Sequence, residues 1–266
     1  MSRTQIILPN VRKLFLTDPS YIQYECDLKG ADAQVVAWEA EDEDLKAAFR
    51  SGVDIHVKNA TDMWGSAFTC LSEGSHAWTK KRQECKHTVH GCNYGCTSRT
   101  TAKQRGWLVI EAERFHRRWF SLHPGIKKNF HERTMARLHK NRTISNPFGF
   151  RRVFFDRVEN CFTEALAWIP QSVVALNTYH GALQLEARYW PWQQKRGWTP
   201  GVADHEGILL QTHDSINPQW KAEAAPEPKE IQETLNVLTP YDDPLYIPWD
   251  LKRSFKSWGE MEKVKV

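Results

Sequence analysis

The chain has 266 residues, of which 41% are hydrophobic and 26% are charged, a balance typical of a folded soluble protein and not of a disordered one. No run approaches the roughly 20 consecutive apolar residues that span a bilayer, and the start MSRTQIILPN lacks the apolar core of a secretory signal. We therefore expect a cytoplasmic protein whose six cysteines are thiols or metal ligands and not disulfides.

The formal net charge of +4 conceals an uneven distribution along the chain. Residues 80–157 contain 19 Lys and Arg against 5 Asp and Glu, a net charge of +14, which leaves −10 for the remainder. A basic block of this length between acidic flanks indicates a polyanionic partner, nucleic acid or nucleotides, for the middle of the chain.

The first third of the sequence predicts short strands followed by helices. Two strand-like runs flank a Thr-Asp-Pro-Ser turn, and the second, from Tyr21 to Cys26, ends directly at Asp27. A helical stretch follows Asp32, and another helix is expected after Asp54.

From Trp78 to about Arg157 the pattern is basic and mostly helical, and a further apolar helix is expected from Ser172 to Leu185. The sequence GILLQT at 207–212 predicts a buried strand, with a hairpin partner at 216–220. The tip of this hairpin is Thr-His-Asp-Ser at 212–215, so a second aspartate also lies at a strand end. Trp190 and Trp192 are predicted either to stack on bases or, more simply, to be buried in the core.

One helix carries a stripe of functional side chains. Arg82, Lys86, His90 and Tyr94 are four residues apart, so each is rotated by only about 40° from the last and all share a face. Two cations followed by two rings suit a nucleoside triphosphate, because the cations can bind its phosphates and the flat rings can pack against its sugar and base. The same spacing also fits an ordinary basic surface helix.

The two aspartates at strand ends, taken as a pair, indicate a metal site. Asp27 or Asp214 alone is an ordinary turn former, but the two on adjacent strands can hold a pair of magnesium ions. Such a pair supports in-line phosphoryl transfer.

Taken together, these motifs resemble the family A DNA polymerases, the DNA polymerase I family, and most closely their phage-type members. The stretch CDLKGADAQVVAWEAEDEDLKAAFRSGVDIH is similar to the first catalytic motif and its Asp-Ile-His signature. R82-x3-K86-x3-H90-G91-x2-Y94-G95 resembles the nucleotide-binding helix of the fingers, and THDS at 212–215 resembles the second catalytic aspartate motif. PGI at 124–126 with GFRR at 149–152, and WIPQS at 168–172, are weaker matches in the same order. If the chain is phage-encoded, its location is the host cytoplasm.

The resemblance implies a role for each matching residue. Asp27 and Asp214, helped by the Leu28 carbonyl, would hold two Mg²⁺ ions. Arg82 and Lys86 would bind the incoming dNTP, and Lys86 is also a candidate proton donor to pyrophosphate. The remaining implied contacts are to the sugar and base for Asp32, His90 and Tyr94, and to primer-template DNA for Arg151, Arg152, Gln171 and His213.

The chain departs from the family pattern at several of these positions. His90 stands where Phe or Tyr is usual, and Asp32 replaces a glutamate that excludes the ribose 2′-hydroxyl. Ser215 replaces a common glutamate, which we treat as dispensable. The changes at positions 90 and 32 leave open how the chain discriminates between sugars of the incoming nucleotide.

The resemblance predicts an α+β fold with an antiparallel palm sheet, built from residues 1–57 and 158–266, and a mostly helical fingers insertion at 58–157. The expected reaction is template-directed attack of a primer 3′-hydroxyl on a dNTP in DNA replication. Few residues precede Val11, so we expect no thumb or exonuclease domain within the chain. The chain would be one part of a split polymerase, a fragment or a thumbless variant, and its partner a polypeptide that carries the thumb and exonuclease.

Two other hypotheses remain open from the sequence. One is a non-catalytic DNA-binding or accessory subunit that keeps the polymerase fold. The other is a zinc site formed by Cys85, His87, Cys92 and Cys96 with His90 nearby, although this is not the paired C-x2-C spacing of common zinc sites.

Overall fold

The structure is a computed structural model that describes residues 9–190 and 206–264. Its contacts divide the chain into two units: one ends at Ala31 and resumes at Val173, and the other is Asp32–Ser172. In the described ranges, no helix combines the length and apolar character that crossing a bilayer requires. The first unit carries an antiparallel sheet and the second is mostly helical, so the predicted α+β class is confirmed.

The first unit is organised around a five-stranded sheet. In sheet order its strands are β4 (Gly207–Thr212), β5 (Ser215–Lys221), β1 (Tyr21–Leu28), β8 (Trp249–Ser254) and β9 (Glu262–Lys263). All neighbouring strands are antiparallel, and β1 lies in the centre. The predicted strand from Tyr21 and the predicted hairpin at 207–220 are therefore confirmed.

Aromatic side chains fill the core of this unit. Trp220 stacks on Trp190 with ring centroids 5.1 Å apart and meets Tyr24 edge-on at 5.6 Å. Trp190 is only 1% exposed, so it is a core residue and is not available to stack on a base. Trp192 lies outside the described residues.

Smaller elements complete the first unit. They are α1 (Pro9–Arg12), a 3-10 turn (Ala222–Ala224), α11 (Pro228–Thr234), β6 (Leu238–Thr239), β7 (Leu245–Tyr246) and a second 3-10 turn (Trp258–Glu260). The buried indole of Trp249 donates a hydrogen bond to the Leu235 carbonyl at 2.9 Å. That bond ties the segment after α11 to the sheet.

The second unit is built from helices and one short hairpin. Its helices are α2 (Ala31–Glu39), α3 (Glu43–Arg50), α4 (Ile55–Trp64), α5 (Ser66–Thr69), α6 (His76–Asn93), α7 (Ser98–Arg105), α8 (Val109–Leu122), a π-helix (Ile126–His131) and α9 (Glu132–Asn141). The hairpin strands are β2 (Thr143–Ser145) and β3 (Arg151–Val153), and α10 (Val158–Tyr189) runs from this unit into the first.

Buried hydrogen bonds fix the helices of the second unit. The indole of Trp119 on α8 donates to the Asn93 side chain at 3.0 Å, and His131 contacts the Asn93 carbonyl at 2.8 Å. Gly125 allows the closest backbone approach, because a β-carbon there would lie 2.3 Å from the carbonyl oxygen of Ala40. Packing against Ala40 therefore requires a glycine at position 125.

Three details differ from the sequence-based elements. The run after Pro9 forms a short helix and a turn in place of a strand, because Arg12 turns inward to pair with Glu25 at 3.1 Å. The helical stretch after Asp32 is broken at Glu41, whose φ is 53°, and Asp42 then caps α3. The helix expected from Ser172 is the second part of the longer α10, which accommodates Pro170.

Candidate functional site

The sheet places the two predicted catalytic aspartates side by side. Asp27 lies opposite Ser215 in the β1–β5 register, and the Leu28 amide donates to the Asp214 carbonyl at 3.1 Å. Asp214 lies in the tight turn between β4 and β5, directly beside the end of β1. Two strand ends that are distant in the chain therefore bring two carboxylates together.

Side-chain hydrogen bonds brace the turn that carries Asp214. The hydroxyls of Thr212 and Ser215 are 2.8 Å apart, and Ser215 also donates to the Thr212 carbonyl at 3.1 Å. His213 adopts a left-handed backbone with φ 53°, and its Nδ1 lies 3.1 Å from the Asp214 carboxylate. Ser215 thus braces the turn that carries Asp214.

Asp27 is set in an electronegative environment. Burial, followed by the charges of Asp214 and Glu25, raises the pKa of Asp27 to about 7, with a further contribution from Asp250. Asp250 lies directly opposite Asp27 in the β1–β8 register. A carboxylate surrounded by other carboxylates is stabilised by a bound cation, which makes this cluster suited to a divalent metal ion.

Glu25 differs from Asp27 because its charge is fully matched. Its carboxylate accepts hydrogen bonds from Lys252 at 2.6 Å, Trp258 at 2.7 Å and Arg12 at 3.1 Å. Burial alone would raise the pKa of Glu25, but the bonds from Lys252 and Trp258 outweigh it and lower the pKa. Glu25 is therefore an ionised structural residue two positions from Asp27.

The helical unit presents the predicted cationic stripe on α6. Arg82, Lys86 and His90 lie on the helix, and Tyr94 is the residue that ends it. Lys86 is exposed and has no hydrogen bond or ion pair to the described residues, so its charge is available. His90 and Tyr94 are in edge-to-face contact with ring centroids 4.4 Å apart.

Arg82 is already paired in this structure. Its guanidinium donates to Asp54 at 2.6 Å, and the other Asp54 oxygen caps α4 by accepting from the His56 and Val57 amides at 2.8 and 3.1 Å. Burial, followed by the charges of Lys86 and Arg82, lowers the pKa of His56 to about 4. An anion bound at Arg82 therefore has to compete with Asp54.

Asp32 and Tyr94 are neighbours in the helical unit. Burial and the charge of Asp32 raise the pKa of Tyr94 well above its ordinary value. Tyr94 therefore remains a neutral phenol. Its ring packs against His90 at the C-terminal end of the stripe.

The predicted DNA-contacting residues of the helical unit lie at its surface. Gln171 on α10 and Arg151 on β3 are exposed and have no hydrogen bond or ion pair to the described residues. Arg152 pairs with Glu164 and lies over the Phe154 ring at 4.9 Å. The side chains of Gln171 and Arg151 are thus available to a partner, and that of Arg152 is partly engaged.

The cysteines of α6 pack into the core. Cys85 and Cys92 are both 0% exposed, whereas His87 and His90 are on the exposed side of the helix. Burial raises the pKa of the Cys85 thiol to about 12. Cys96 contacts the Thr101 hydroxyl at 3.6 Å. This distribution favours packing over a shared zinc ligand set.

A different trio of metal-ligand types does converge in the described part of the chain. Donor atoms of Asp42, Asp44 and His123 lie within 4.8 Å of one another. Each carboxylate is already engaged: Asp42 caps α3 and contacts His123 at 2.9 Å, and Asp44 pairs with Lys58 at 2.6 Å. Burial would raise the pKa of Asp42, but the bonds from His123 and the Leu45 amide lower it. The trio thus has a structural explanation.

Two functional neighbours were not identified from the sequence. Asp250 faces Asp27 only because of the β1–β8 register, and no local motif marks it. The Asp54–Arg82 pair joins residues 28 positions apart. The sequence marks Asp54 as a helix cap and as part of the Asp-Ile-His signature, but neither signal indicates the ion pair with Arg82.

Comparisons with known proteins identify the family of the chain. The model of DNA polymerase family A matches residues 3–179. The thermostable DNA polymerase I of Thermus filiformis is 24% identical over 89% of this chain and 27% of its own length. The DNA polymerase of Mycobacterium phage D29 is 25% identical over 94% of this chain and 37% of its own length. The chain thus spans roughly a quarter to two fifths of the length of these relatives.

A solved structure shares the fold. The POL domain of Pol1 from M. smegmatis, in a complex with DNA primer-template and dNTP, superposes with a TM-score of 0.72 at 18% identity. The similarity covers 94% of this chain and 42% of that one. Since the family model matches about two thirds of the residues, the chain belongs to DNA polymerase family A.

Proposed function

We propose that this chain is the palm and fingers portion of a DNA-directed DNA polymerase that transfers a nucleotide from a dNTP to a primer 3′-hydroxyl. The observation that carries the proposal is the pairing of Asp27 with Asp214 at adjacent strand ends, where burial and the charge of Asp214 raise the pKa of Asp27. Neighbouring carboxylates at a partly buried site are costly to ionise together and are typical of metal-binding and catalytic positions.

The residues present fit divalent magnesium. Asp27 and Asp214 offer hard carboxylate oxygens, and the Leu28 carbonyl adds a backbone oxygen at the end of the same strand. When bound, two Mg²⁺ ions would supply activation of the primer hydroxyl and charge neutralisation at the leaving pyrophosphate. The braced turn at Thr212 and Ser215 would keep the Asp214 carboxylate in place.

The helical unit would bind the nucleotide and the template. Lys86 carries an available ammonium for the triphosphate and for protonation of pyrophosphate, and Arg82 would exchange its bond with Asp54 for a phosphate oxygen. Asp32, His90 and Tyr94 would contact the sugar and base. Gln171, Arg151, Arg152 and His213 would contact primer-template DNA, in keeping with the +14 charge of residues 80–157.

Primer extension tests this proposal. The chain is incubated with labelled primer-template, Mg²⁺ and one dNTP at a time, with and without a polypeptide that carries the thumb and exonuclease. We expect incorporation of the templated nucleotide alone, and its loss on Asp27→Ala or Asp214→Ala. Asp242→Ala, an exposed aspartate of the same unit, is the matched control. DNA binding without extension by the wild-type chain would favour the non-catalytic subunit.

A further inference from the structure

A cavity of about 380 Å³ lies within the helical unit, between α4, α6 and α8. Its size is within the range of roughly 300–1,000 Å³ usual for small-molecule sites. No residue of the proposed catalytic or nucleotide-binding set lines it. The cavity therefore requires its own explanation.

Three aromatic rings form the wall of the cavity. Phe115 on α8 contacts Trp64 and Trp107, in each case with ring centroids 5.7 Å apart. Phe115 is buried, whereas both indoles are half-buried and therefore keep part of their surface accessible to a ligand. Such rings are a stacking surface for another flat ring.

Cations surround this aromatic wall. Lys81 lies 5.2 Å from the centroid of the Trp64 ring and donates to the Ala67 carbonyl at 3.2 Å. Arg118 is exposed and uses its Nε to donate to the Asp62 carbonyl at 2.8 Å, and its two terminal NH₂ groups make no hydrogen bond or ion pair to the described residues. Arg114 is exposed and has no hydrogen bond or ion pair to the described residues. Two guanidinium groups are thus available to phosphate oxygens.

Two glutamates also line the cavity. Glu111 accepts a hydrogen bond from the Leu108 amide at 2.9 Å and so caps α8. This capping role explains why a glutamate stands at position 111. The carboxylate of Glu84 makes no hydrogen bond or ion pair to the described residues and offers an acceptor at the wall. An acceptor beside stacking rings suits an N–H donor on the Watson–Crick edge of a nucleobase, such as N3–H of thymine.

The cavity lies on the opposite side of α6 from the proposed nucleotide stripe. At about 100° per residue, Lys81 and Glu84 project roughly 180° away from the mean direction of Arg82, Lys86 and His90. A ligand in the cavity and a triphosphate on the stripe would therefore contact different faces of one helix. The cavity is a separate site.

We infer that this cavity binds an unpaired nucleobase of single-stranded DNA, with the base against Trp64 and Trp107 and the adjoining phosphates at Arg114 and Arg118. The inference rests on the proposed function, since a polymerase template provides unpaired bases. A purely cationic ligand is disfavoured by Lys81 and the two arginines, and a base within a duplex cannot reach a recessed wall while it is stacked and paired. Free nucleotide has the same ring and phosphate chemistry, so the experiment separates the two sources.

Equilibrium binding of a fluorescein-labelled 12-nucleotide oligothymidine tests the inference. Stacking on one aromatic side chain contributes about 1–3 kcal/mol per base, so we expect Trp107→Ala to weaken binding about 5- to 150-fold and Trp107→Phe to restore most of it. Arg114→Glu should weaken binding and reduce its salt dependence by about one counterion. Arg137→Glu, an exposed reversal on α9, is the matched control and should have a smaller effect.

An abasic oligonucleotide of equal length separates the base from the backbone. We expect Trp107→Ala to leave its binding unchanged, whereas Arg114→Glu still weakens it. Equal oligothymidine affinity for wild type, Trp107→Ala and Trp107→Phe would overturn the inference. The inference would also be overturned if dTMP binding depends on Trp107 and the oligonucleotide binds no more tightly than dTMP. The ligand would then be a free nucleotide.

Primer extension on a template with a one-nucleotide overhang serves as the separate readout of the proposed function. If wild type extends this template but binds oligothymidine independently of Trp107, the base-binding role of the cavity is refuted and the polymerase proposal is not. If binding depends on Trp107 and no extension occurs, the base-binding role is supported and the polymerase proposal is refuted. Circular dichroism of each variant establishes that it has folded.

Discussion

Replacing Asp27 by Asn should stabilise the metal-free protein even though it removes a proposed catalytic ligand. The ordinary pKa of 3.8 is raised to about 7 by burial and by Asp214 and Glu25. At 1.36 kcal/mol for each pH unit, the difference corresponds to about 4 kcal/mol, an upper value for the cost of ionising Asp27 in the folded state. Because the folded protein holds this proton more tightly than the unfolded chain, the stability contribution falls as the pH rises from about 4 to 7.

Urea unfolding in EDTA between pH 5 and pH 8 measures this effect. The free energy of unfolding of Asp27→Asn relative to wild type should increase with pH and approach about 4 kcal/mol at pH 8, or on the order of 10 °C in Tm. Asp242→Asn, an exposed site in the same unit, should change stability by less than about 0.5 kcal/mol at every pH. A destabilised Asp27→Asn variant, or a difference independent of pH, would show that ionised Asp27 does not destabilise the metal-free fold.

Three further predictions follow from single contacts. Glu25→Gln should cost about 1–3 kcal/mol, because three donors lose a charged acceptor, and should flatten the loss of stability below pH 4.5 that the lowered pKa of Glu25 causes. Gly125→Ala should destabilise by about 1–3 kcal/mol or more in urea unfolding, because its β-carbon would lie 2.3 Å from the Ala40 carbonyl oxygen. Asp54→Asn should lower the KM for dNTP with little change in kcat, because asparagine still caps α4 but no longer holds Arg82 by charge.

Each of these predictions has a matched comparison. Gly91→Ala, whose β-carbon would meet Cys96 at an ordinary 3.4 Å, should be tolerated, and equal destabilisation at Gly91 and Gly125 would contradict the packing argument. For Asp54, the exposed Asp44→Asn is the control, and an increased KM in Asp54→Asn would show that the ion pair assists binding. An unchanged acid limb in Glu25→Gln would show that Glu25 is not the titrating group.

Local patterns in the sequence predicted the elements that carry the site. Alternation located the strand from Tyr21 and the hairpin around Asp214, and four-residue spacing located the stripe on α6. Contacts between residues distant in the sequence determine the features that those local patterns do not predict. Arg12 follows a strand-like pattern but is drawn into a helical turn by Glu25, and the partnership of Asp250 with Asp27 depends on strand register.

The most direct test of the central claim is a single-turnover measurement of templated nucleotide incorporation in the presence of Mg²⁺. We expect wild type and Asp242→Asn to add the complementary dNTP at the same rate. We expect Asp27→Asn and Asp214→Asn to bind primer-template normally but to lose incorporation by several orders of magnitude. Undiminished incorporation by either active-site variant would contradict the assignment of these two aspartates as the catalytic pair.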